Sequence, residues 1–372
     1  MERPASTSQS KHISIGVVGL GIIGRSIAAH LRRKGFSVFV WSRSPRPVPN
    51  FVGSLGELAN LCDYIQIFVS DDNALLQTVD QLGEKLTQRH LVLAHSTVAP
   101  DSMRAAAEIV ERRDARFVEA CFTGSKGAAE KGELVYYVGG TEEALREGRP
   151  ILEASGKQIV PIGAIGQASA VKIATNMITA ANVQAAAEAL ALVQSQGLPL
   201  EKFVEAMCAN ASYSGTLAMK LPKMLARDFE PQFSVKHMLK DMQIASQIAL
   251  SHYLDLGVTA AACDQLVEQM QWGHGEDDYT AVMRKYLHEP ASGFYEEPQL
   301  QQPDEQSGTE ESVADSAEAE TPKLEAQEGG IVTSPESLLS FSGAVSATVP
   351  AAAPLRRGFF RQLLSRFSSE QE

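Results

Sequence analysis

Short runs of β-branched and apolar residues alternate with helical stretches through the first third of the chain. The runs that predict strands are 13–18, 37–41, 64–69, 91–94 and 117–119. The stretches that predict helices are 25–34, 73–86 and 101–112. Apolar runs of this length are typical of buried parallel strands, and their alternation with helices predicts a doubly wound α/β sheet of the Rossmann type.

The pattern changes near residue 166, where strand signals end. A long Ala-rich helix is predicted over 168–196, and further helices follow to residue 287. We therefore expect a Rossmann-type domain over 12–166 and an all-α domain over 167–289.

The remaining residues have a different composition. Acidic residues exceed basic ones by 11 between residues 289 and 330, while the whole chain has a net charge of −12. We expect 290–354 to be a disordered acidic linker. The body before it has no basic stripe, which disfavours nucleic-acid binding.

A short amphipathic pattern follows the linker over 355–367. Its apolar face consists of Leu355, Phe359, Phe360, Leu363, Leu364 and Phe367, and Arg356, Arg357, Arg361 and Arg366 surround it. A basic amphipathic helix is typical of a peptide that docks on a membrane surface or in a partner protein's groove. The alternative is that it packs back on the rest of its own chain or has no binding role.

The cysteines are far apart and form no CxxC pair. They are Cys62, Cys121, Cys208 and Cys263. This spacing disfavours a disulfide framework or a zinc site, and it favours a reducing, cytoplasmic location. The acidic run 276–278 predicts a helix cap rather than a metal site.

A glycine turn joins the first predicted strand to the first helix. Gly19 permits a tight turn, Gly21 lets the backbone approach a pyrophosphate, and Gly24 lets helix and strand pack closely. Since a second strand ends about 20 residues later, the context is that of a dinucleotide-binding site.

The end of that second strand predicts which dinucleotide is bound. An NAD site commonly has an Asp or Glu there, but this chain has Arg43 between Ser42 and Ser44. A guanidinium can pair with a ribose 2′-phosphate, so we expect NADP, with NAD as the alternative. The competing interpretation is a solvated arginine.

Several motifs in order give the chain a family resemblance. They are GLGIIG at 19–24, VWSRS at 40–44, HSTVAP at 95–100, FVEACFTGSKGAAEKGEL at 117–134, GQASAVKIATNM at 166–177, LKDMQIA at 239–245 and GHGEDDYTAV at 273–282. The chain from residue 13 to 287 resembles the β-hydroxyacid dehydrogenases, which include 3-hydroxyisobutyrate dehydrogenase and the semialdehyde reductases.

The resemblance implies roles for individual residues. The cofactor-binding residues it implies are Gly19, Leu20, Gly21, Ile22, Ile23, Gly24, Val69, Ser70 and Thr97, together with Lys240, a lysine that reaches the active site from the helical domain. It implies Thr123, Gly124 and Ser125 as the loop that binds a substrate carboxylate, and Lys172 with Asn176 as the catalytic pair. Independently of the resemblance, Asn176 lies one helical turn after Lys172, on the same face.

The chain departs from the family's usual sequence around the substrate loop. Cys121-Phe122 replaces Pro-Val, Thr123 replaces Ser, Ala168 replaces a glycine, and Thr175-Asn176 replaces Asn-Asn. The resemblance implies an NADPH-dependent reductase of a small carboxylate-bearing aldehyde that forms homo-oligomers through its helical domain. An imine reductase, or a catalytically idle scaffold held by its tail, are the alternatives.

Overall fold

The computed structural model describes residues 13–287. Its strands are β1 Ser14–Val18, β2 Ser37–Trp41, β3 Tyr64–Ile67, β4 Leu91–Ala94, β5 Arg116–Thr123, β6 Leu134–Gly139 and β7 Gly156–Gly163. The first helices are α1 Ile22–Arg33, α2 Leu55–Leu61, α3 Asp72–Gly83, α4 Pro100–Glu111, α5 Lys126–Lys131 and α6 Glu142–Glu153. The later helices are α7 Gln167–Ser195, α8 Leu200–Cys208, α9 Gly215–Leu225, α10 Val235–Ser251 and α11 Gly257–Gln271, followed by a 3₁₀ helix, Tyr279–Tyr286.

The strands form one sheet in the order β2-β1-β3-β4-β5-β6-β7. All neighbouring strands are parallel except β5 and β6, which are antiparallel. The short segment 124–133 allows this reversal, because a parallel return needs a crossover of about a dozen residues or more. The predicted Rossmann fold is confirmed, but the sequence prediction omitted β6 and β7 and ended β5 four residues early.

Helices cover both faces of the sheet, which explains the continuous apolar runs in its strands. On one face, residues such as Ile65 and Val92 pack with Leu58 and Leu75 of α2 and α3. On the other face, Ile15 and the alternate strand positions pack with α1 and α6. The loops that leave the carboxyl ends of β1 to β5 therefore lie along one edge, where open α/β sheets bind ligands.

The helical part follows β7 directly and packs around α7. Its core includes Val183 and Leu190 of α7, with Leu221 and Met238 from α9 and α10. A buried ion pair supports the last segment, because Lys220 Nζ donates to both carboxylate oxygens of Asp278 at 2.9 Å. As predicted, an acid caps this segment, although the expected helix over 278–287 is a 3₁₀ helix.

Between residues 13 and 287, no helix is both long enough and apolar enough to cross a bilayer. The predicted linker 290–354 and the predicted amphipathic helix 355–367 lie outside the described residues.

Candidate active site

Two of the turn's glycines are required by packing. Gly19 has φ +94°, and a Cβ there would come within 2.0 Å of the Phe68 carbonyl oxygen. A Cβ at Gly24 would come within 2.0 Å of the Gly19 carbonyl oxygen. Backbone therefore crosses backbone at both points, and any side chain would force β1, β3 and α1 apart.

Gly21 differs from both, because open space surrounds its Cα. A Cβ built at Gly21 has no protein atom within 4 Å. Gly21 is also the N-cap of α1, and no side chain accepts a hydrogen bond from the first turn of that helix. Free N–H groups at the positive end of a helix bind phosphate. The turn therefore fits a dinucleotide pyrophosphate, which would be held by the backbone of residues 19–24.

The loop after β2 presents Arg43 to solvent. The Ser42 hydroxyl donates to the Ser44 carbonyl oxygen at 2.6 Å, which shapes the loop, and no acid follows the strand. Burial alone would raise the pKa of Asp71, but hydrogen bonds from Ser70 and Ala74 and the nearby Lys240 and Arg43 charges hold it below its usual value. The Arg43 charge therefore acts on Asp71, the N-cap residue of α3.

Side chains join the loops that follow β3 and β4. The Val69 N–H donates to Ser96 Oγ at 2.9 Å, and the Ala99 N–H donates to Asp72 Oδ1 at 2.9 Å. These bonds fix Val69, Ser70 and Thr97, three of the predicted cofactor residues, along the same edge as the glycine turn.

A polar network joins this edge to the helical part. The Lys240 ammonium donates to the Thr97 carbonyl oxygen and, at 2.7 Å, to Asp241 Oδ1. Asn176 Nδ2 donates to Asp241 Oδ2 at 2.6 Å. Asp241 is fully buried, so its carboxylate links Lys240 of α10 to Asn176 of α7. Lys240 and Asp241 therefore belong to this network rather than to a solvated helix face.

Lys172 lies one turn before Asn176 on α7 and is partly buried. Burial lowers the pKa of its ammonium, while the Asp241 carboxylate and the Cys121 thiol oppose this shift, and Lys240 adds to it. A lysine whose proton is held less tightly than usual can donate and recover that proton. Asn176 Nδ2 donates to Asp241, which holds the amide in place as a polar neighbour of Lys172.

The predicted substrate loop begins inside β5, where Thr123 is the last strand residue. Gly124 has φ +135°, and a Cβ there would meet Leu134 Cδ2 at 2.8 Å, so the turn requires glycine. The Ser125 hydroxyl accepts from the Ala128 N–H at 3.4 Å and caps α5. Because strand residues alternate between faces, Thr123 shares the face of Cys121, whose thiol lies 3.7 Å from Ser169 Oγ of α7.

Sequence reasoning missed three polar residues of this region, namely Asp241, Ser96 and Glu119. The last is a fully buried carboxylate on β5 that accepts the Gly166 N–H at 2.6 Å. The sequence offered a signal for Glu119, because it is an acid within an apolar strand. Acids are rarely buried unless they have partners, so such a position indicates a polar contact. Asp241 had no such signal, because acids are common on the exposed faces of helices.

This geometry is that of a dinucleotide-binding fold, and comparisons with known proteins show the class of enzyme. The family model for the NAD binding domain of 6-phosphogluconate dehydrogenase matches residues 14–164. The model for the NAD-binding domain of NADP-dependent 3-hydroxyisobutyrate dehydrogenase matches residues 166–286.

Individual relatives cover the same part of the chain. Glyoxylate/succinic semialdehyde reductase 1 of Arabidopsis thaliana is 28% identical over 281 residues, which are 73% of this chain and 97% of the relative. An uncharacterized oxidoreductase of Synechocystis sp. is 30% identical over 285 residues, with the same two shares. The structure of Mycobacterium tuberculosis 3-hydroxyisobutyrate dehydrogenase with L-serine superposes with a TM-score of 0.67 at 22% identity, covering 74% of this chain and 99% of that one.

The chain belongs to the β-hydroxyacid dehydrogenase family. It is an NAD(P)-dependent oxidoreductase of the hydroxyacid dehydrogenase and reductase type that acts on a small molecule. The expected cofactor, NADP with NAD as the alternative, is confirmed at that level.

Proposed function

We propose that this enzyme uses NADPH to reduce a small carboxylate-bearing aldehyde, such as glyoxylate or succinic, tartronate or methylmalonate semialdehyde, to its hydroxy acid. The observation that carries the proposal is the partly buried Lys172 beside the Asn176–Asp241 pair, at the edge where the substrate loop 123–125 begins. The proposed domains are 12–166 for the cofactor and 167–289 for the helical part.

The cofactor is proposed to lie along the loops that end β1, β2, β3 and β4. Residues 19–24 would hold the pyrophosphate, Ser42, Arg43 and Ser44 the 2′-phosphate, and Val69, Ser70 and Thr97 the rest. Lys240 would contact the cofactor from α10 of the helical part, because its ammonium already donates to the Thr97 carbonyl oxygen. When bound, the reduced nicotinamide supplies the hydride.

Lys172 is proposed as the acid of the reaction. Negative charge develops on the carbonyl oxygen during reduction, and the Lys172 ammonium would donate its proton there. Its lowered pKa favours this transfer and the return of the proton in the reverse reaction. The hydrogen bond from the Asn176 amide would hold the helix face that carries Lys172 close to Asp241.

The substrate carboxylate is proposed to bind at the turn after β5. The Thr123 and Ser125 hydroxyls and the Gly124 backbone offer hydrogen-bond donors at the sheet edge, and anions suit such turns. The departures at Cys121 and Phe122 lie beside this turn, so they are expected to influence which aldehyde is preferred.

The test is an NADPH-oxidation screen with glyoxylate and with succinic, tartronate and methylmalonate semialdehydes. Turnover of at least one aldehyde by the full chain is expected, with a matched cyclic imine as the control for imine reduction. Absence of turnover with all four aldehydes, in a protein that still binds NADPH, would favour the idle scaffold instead.

We also propose that the enzyme is a cytoplasmic homo-oligomer. All four cysteines are free thiols, which suits a reducing compartment. The outer side of α7 exposes Ile178 and Leu192, each about 65% accessible, and apolar helix faces of this kind favour association. Light scattering at micromolar concentration should give a mass above that of one chain, 40.1 kDa. Docking through residues 355–367 remains a hypothesis from the sequence.

A further inference from the structure

The helix that carries Lys172 begins without a side-chain cap of its own. Its N-cap is Gly166, with φ +91°, and glycine has no side chain to accept from the first turn. Other helices of the chain are capped by a neighbouring hydroxyl or carboxylate, from Ser54, Asp71, Ser125, Thr141 and Ser214. Uncapped N–H groups are costly when they are buried, so α7 needs an acceptor from elsewhere.

Glu119 of β5 supplies that acceptor from a distant point in the sequence. Its Oε2 accepts the Gly166 N–H at 2.6 Å, and its Oε1 accepts the Ser169 N–H. The side chain is completely buried. A single carboxylate therefore caps α7 at two positions and anchors it to the sheet, in the turn that precedes Lys172.

The surrounding backbone is shaped to leave room for this carboxylate. A Cβ at Gly139 of the neighbouring strand would come within 2.8 Å of Glu119 Oε2. Burial raises the pKa of Glu119, while hydrogen bonds from Ser169 and the α7 backbone oppose that shift. A carboxylate in such a place is stabilised by the N–H groups and by the positive end of the helix.

Glu119 also lies on the face of β5 that leads to the proposed substrate loop. Strand residues alternate between faces, so Glu119, Cys121 and Thr123 share one face. The thiol of Cys121 lies next to Ser169, and its pKa is raised to about 12 by burial, while the Lys172 charge acts in the opposite direction. Glu119, Cys121 and the proposed catalytic lysine, Lys172, therefore lie along the same contact between β5 and α7.

We propose that Glu119 is a positioning residue, which fixes the first turn of α7 against β5 and so holds Lys172 at the reacting carbonyl. The proposal rests on the proposed role of Lys172 as the acid. A glutamine at this position keeps the size but puts an NH₂ group against one of the two N–H donors. The helix start should then shift, and a displacement of about 1 Å can cost roughly 100-fold in rate.

The experiment measures kcat, KM and the NADPH dissociation constant for Glu119→Gln, Lys172→Ala and the double variant. Glu119→Gln should lower kcat by roughly 10- to 100-fold and change the NADPH dissociation constant less than about twofold. In the Lys172→Ala background, Glu119→Gln should cause no further loss, because a group that acts only through Lys172 is non-additive with it.

Two further variants keep the test decisive. Thr141→Ala removes the cap of α6, on the other face of the sheet, and should leave kcat unchanged. Glu119→Asp keeps the charge but is one methylene shorter, so it should fold and have a lower kcat. It replaces Glu119→Gln in the test if that variant does not fold. The inference fails if Glu119→Gln or Glu119→Asp keeps a wild-type kcat, or if the two losses multiply. A Lys172→Ala enzyme that keeps most of its kcat would instead overturn the proposed role of Lys172 as the acid, on which the inference rests.

Discussion

The helices α1 and α7 both begin after a glycine N-cap, but their first N–H groups have different partners. Each has a glycine as its N-cap, Gly21 and Gly166, and neither has a cap from its own side chain. At α1 the space around the Gly21 Cα is open, whereas at α7 the Glu119 carboxylate accepts hydrogen bonds from the Gly166 and Ser169 N–H groups. The first end is suited to accept an anion from solution, and the second carries an anion that belongs to the protein.

The difference fits the roles proposed for the two helices, which are phosphate binding at α1 and support of Lys172 at α7. A helix that is to bind phosphate must keep its N–H groups free in the apoprotein, at some cost in stability. A helix that is to hold a catalytic side chain still benefits from a permanent cap. In this enzyme, α1 follows the first pattern and α7, which carries Lys172, follows the second.

The largest expected effect comes from the catalytic side of this comparison. Lys172→Ala should lower kcat by roughly 100- to 10,000-fold, because a positioned acid contributes about that much. NADPH binding, followed by fluorescence titration, should persist because the proposed phosphate contacts lie at α1. Lys172→Arg should not restore the rate, since a guanidinium does not release its proton. A Lys172→Ala enzyme with most of its kcat would remove Lys172 from the mechanism.

The comparison can be broken by giving α1 the kind of cap that α7 has. Gly21→Asp has room for its Cβ, and an Asp in place of Gly at an N-cap should stabilise the apoprotein by roughly a few tenths of a kcal/mol. The same carboxylate should repel the pyrophosphate and raise the NADPH dissociation constant by roughly 10- to 100-fold, or about 1.4–2.8 kcal/mol.

The matched control is Gly21→Ala, which fills the same space without a charge. Titration and thermal unfolding of the two variants should separate the charge effect from the steric one. Equal loss of NADPH binding in both would mean that space, rather than the free helix end, governs affinity at this turn.

Cofactor choice should depend on the loop beside α1. Arg43→Asp should lower kcat/KM with NADPH by roughly ten- to a hundredfold, because a charge-assisted pair with the 2′-phosphate is lost, at about 1.5–3 kcal/mol. The kcat/KM with NADH should fall less. The control Arg113→Asp changes an exposed arginine away from the loop, so it should alter kcat/KM with neither cofactor. A wild-type enzyme that favours NADH would contradict the role given to Arg43.

The smallest expected effect is a change in pH dependence near α7. Reduction needs the protonated Lys172, so its rate should fall as the pH rises through the pKa of that ammonium, which lies below the usual lysine value. Asp241→Asn removes a charge that raises this pKa, so the fall should move to lower pH. Asp228→Asn, which loses an exposed partner of Lys223, should leave the kcat/KM profile in place. A profile unmoved by Asp241→Asn would separate Asp241 from the proton transfer.

Much of the fold was predictable, because local patterns determine it. Alternating apolar strands and helices predicted the Rossmann fold, the turn 19–24 predicted the dinucleotide site, and the Ala-rich stretch predicted α7. Strand β6 was missed although residues 134–138 form a local apolar run, whereas β7 is an edge strand whose residues are half-buried or exposed and gives a weak signal. Thr123 was assigned to a loop, although its antiparallel pairing with Val135 makes it part of β5.

The candidate site divides in the same way. The sequence by itself determined the glycines at 19 and 24, the Lys172–Asn176 spacing and the absence of an acid after β2, since each follows from a few consecutive residues. Only the tertiary structure decided that Asp241 is buried between Asn176 and Lys240, and that Glu119 caps a helix whose N-cap residue lies 47 residues later in the chain. Partners so far apart are chosen by the packing of β5, α7 and α10, and the hydrogen bonds that keep a buried carboxylate stable exist only once that packing is complete.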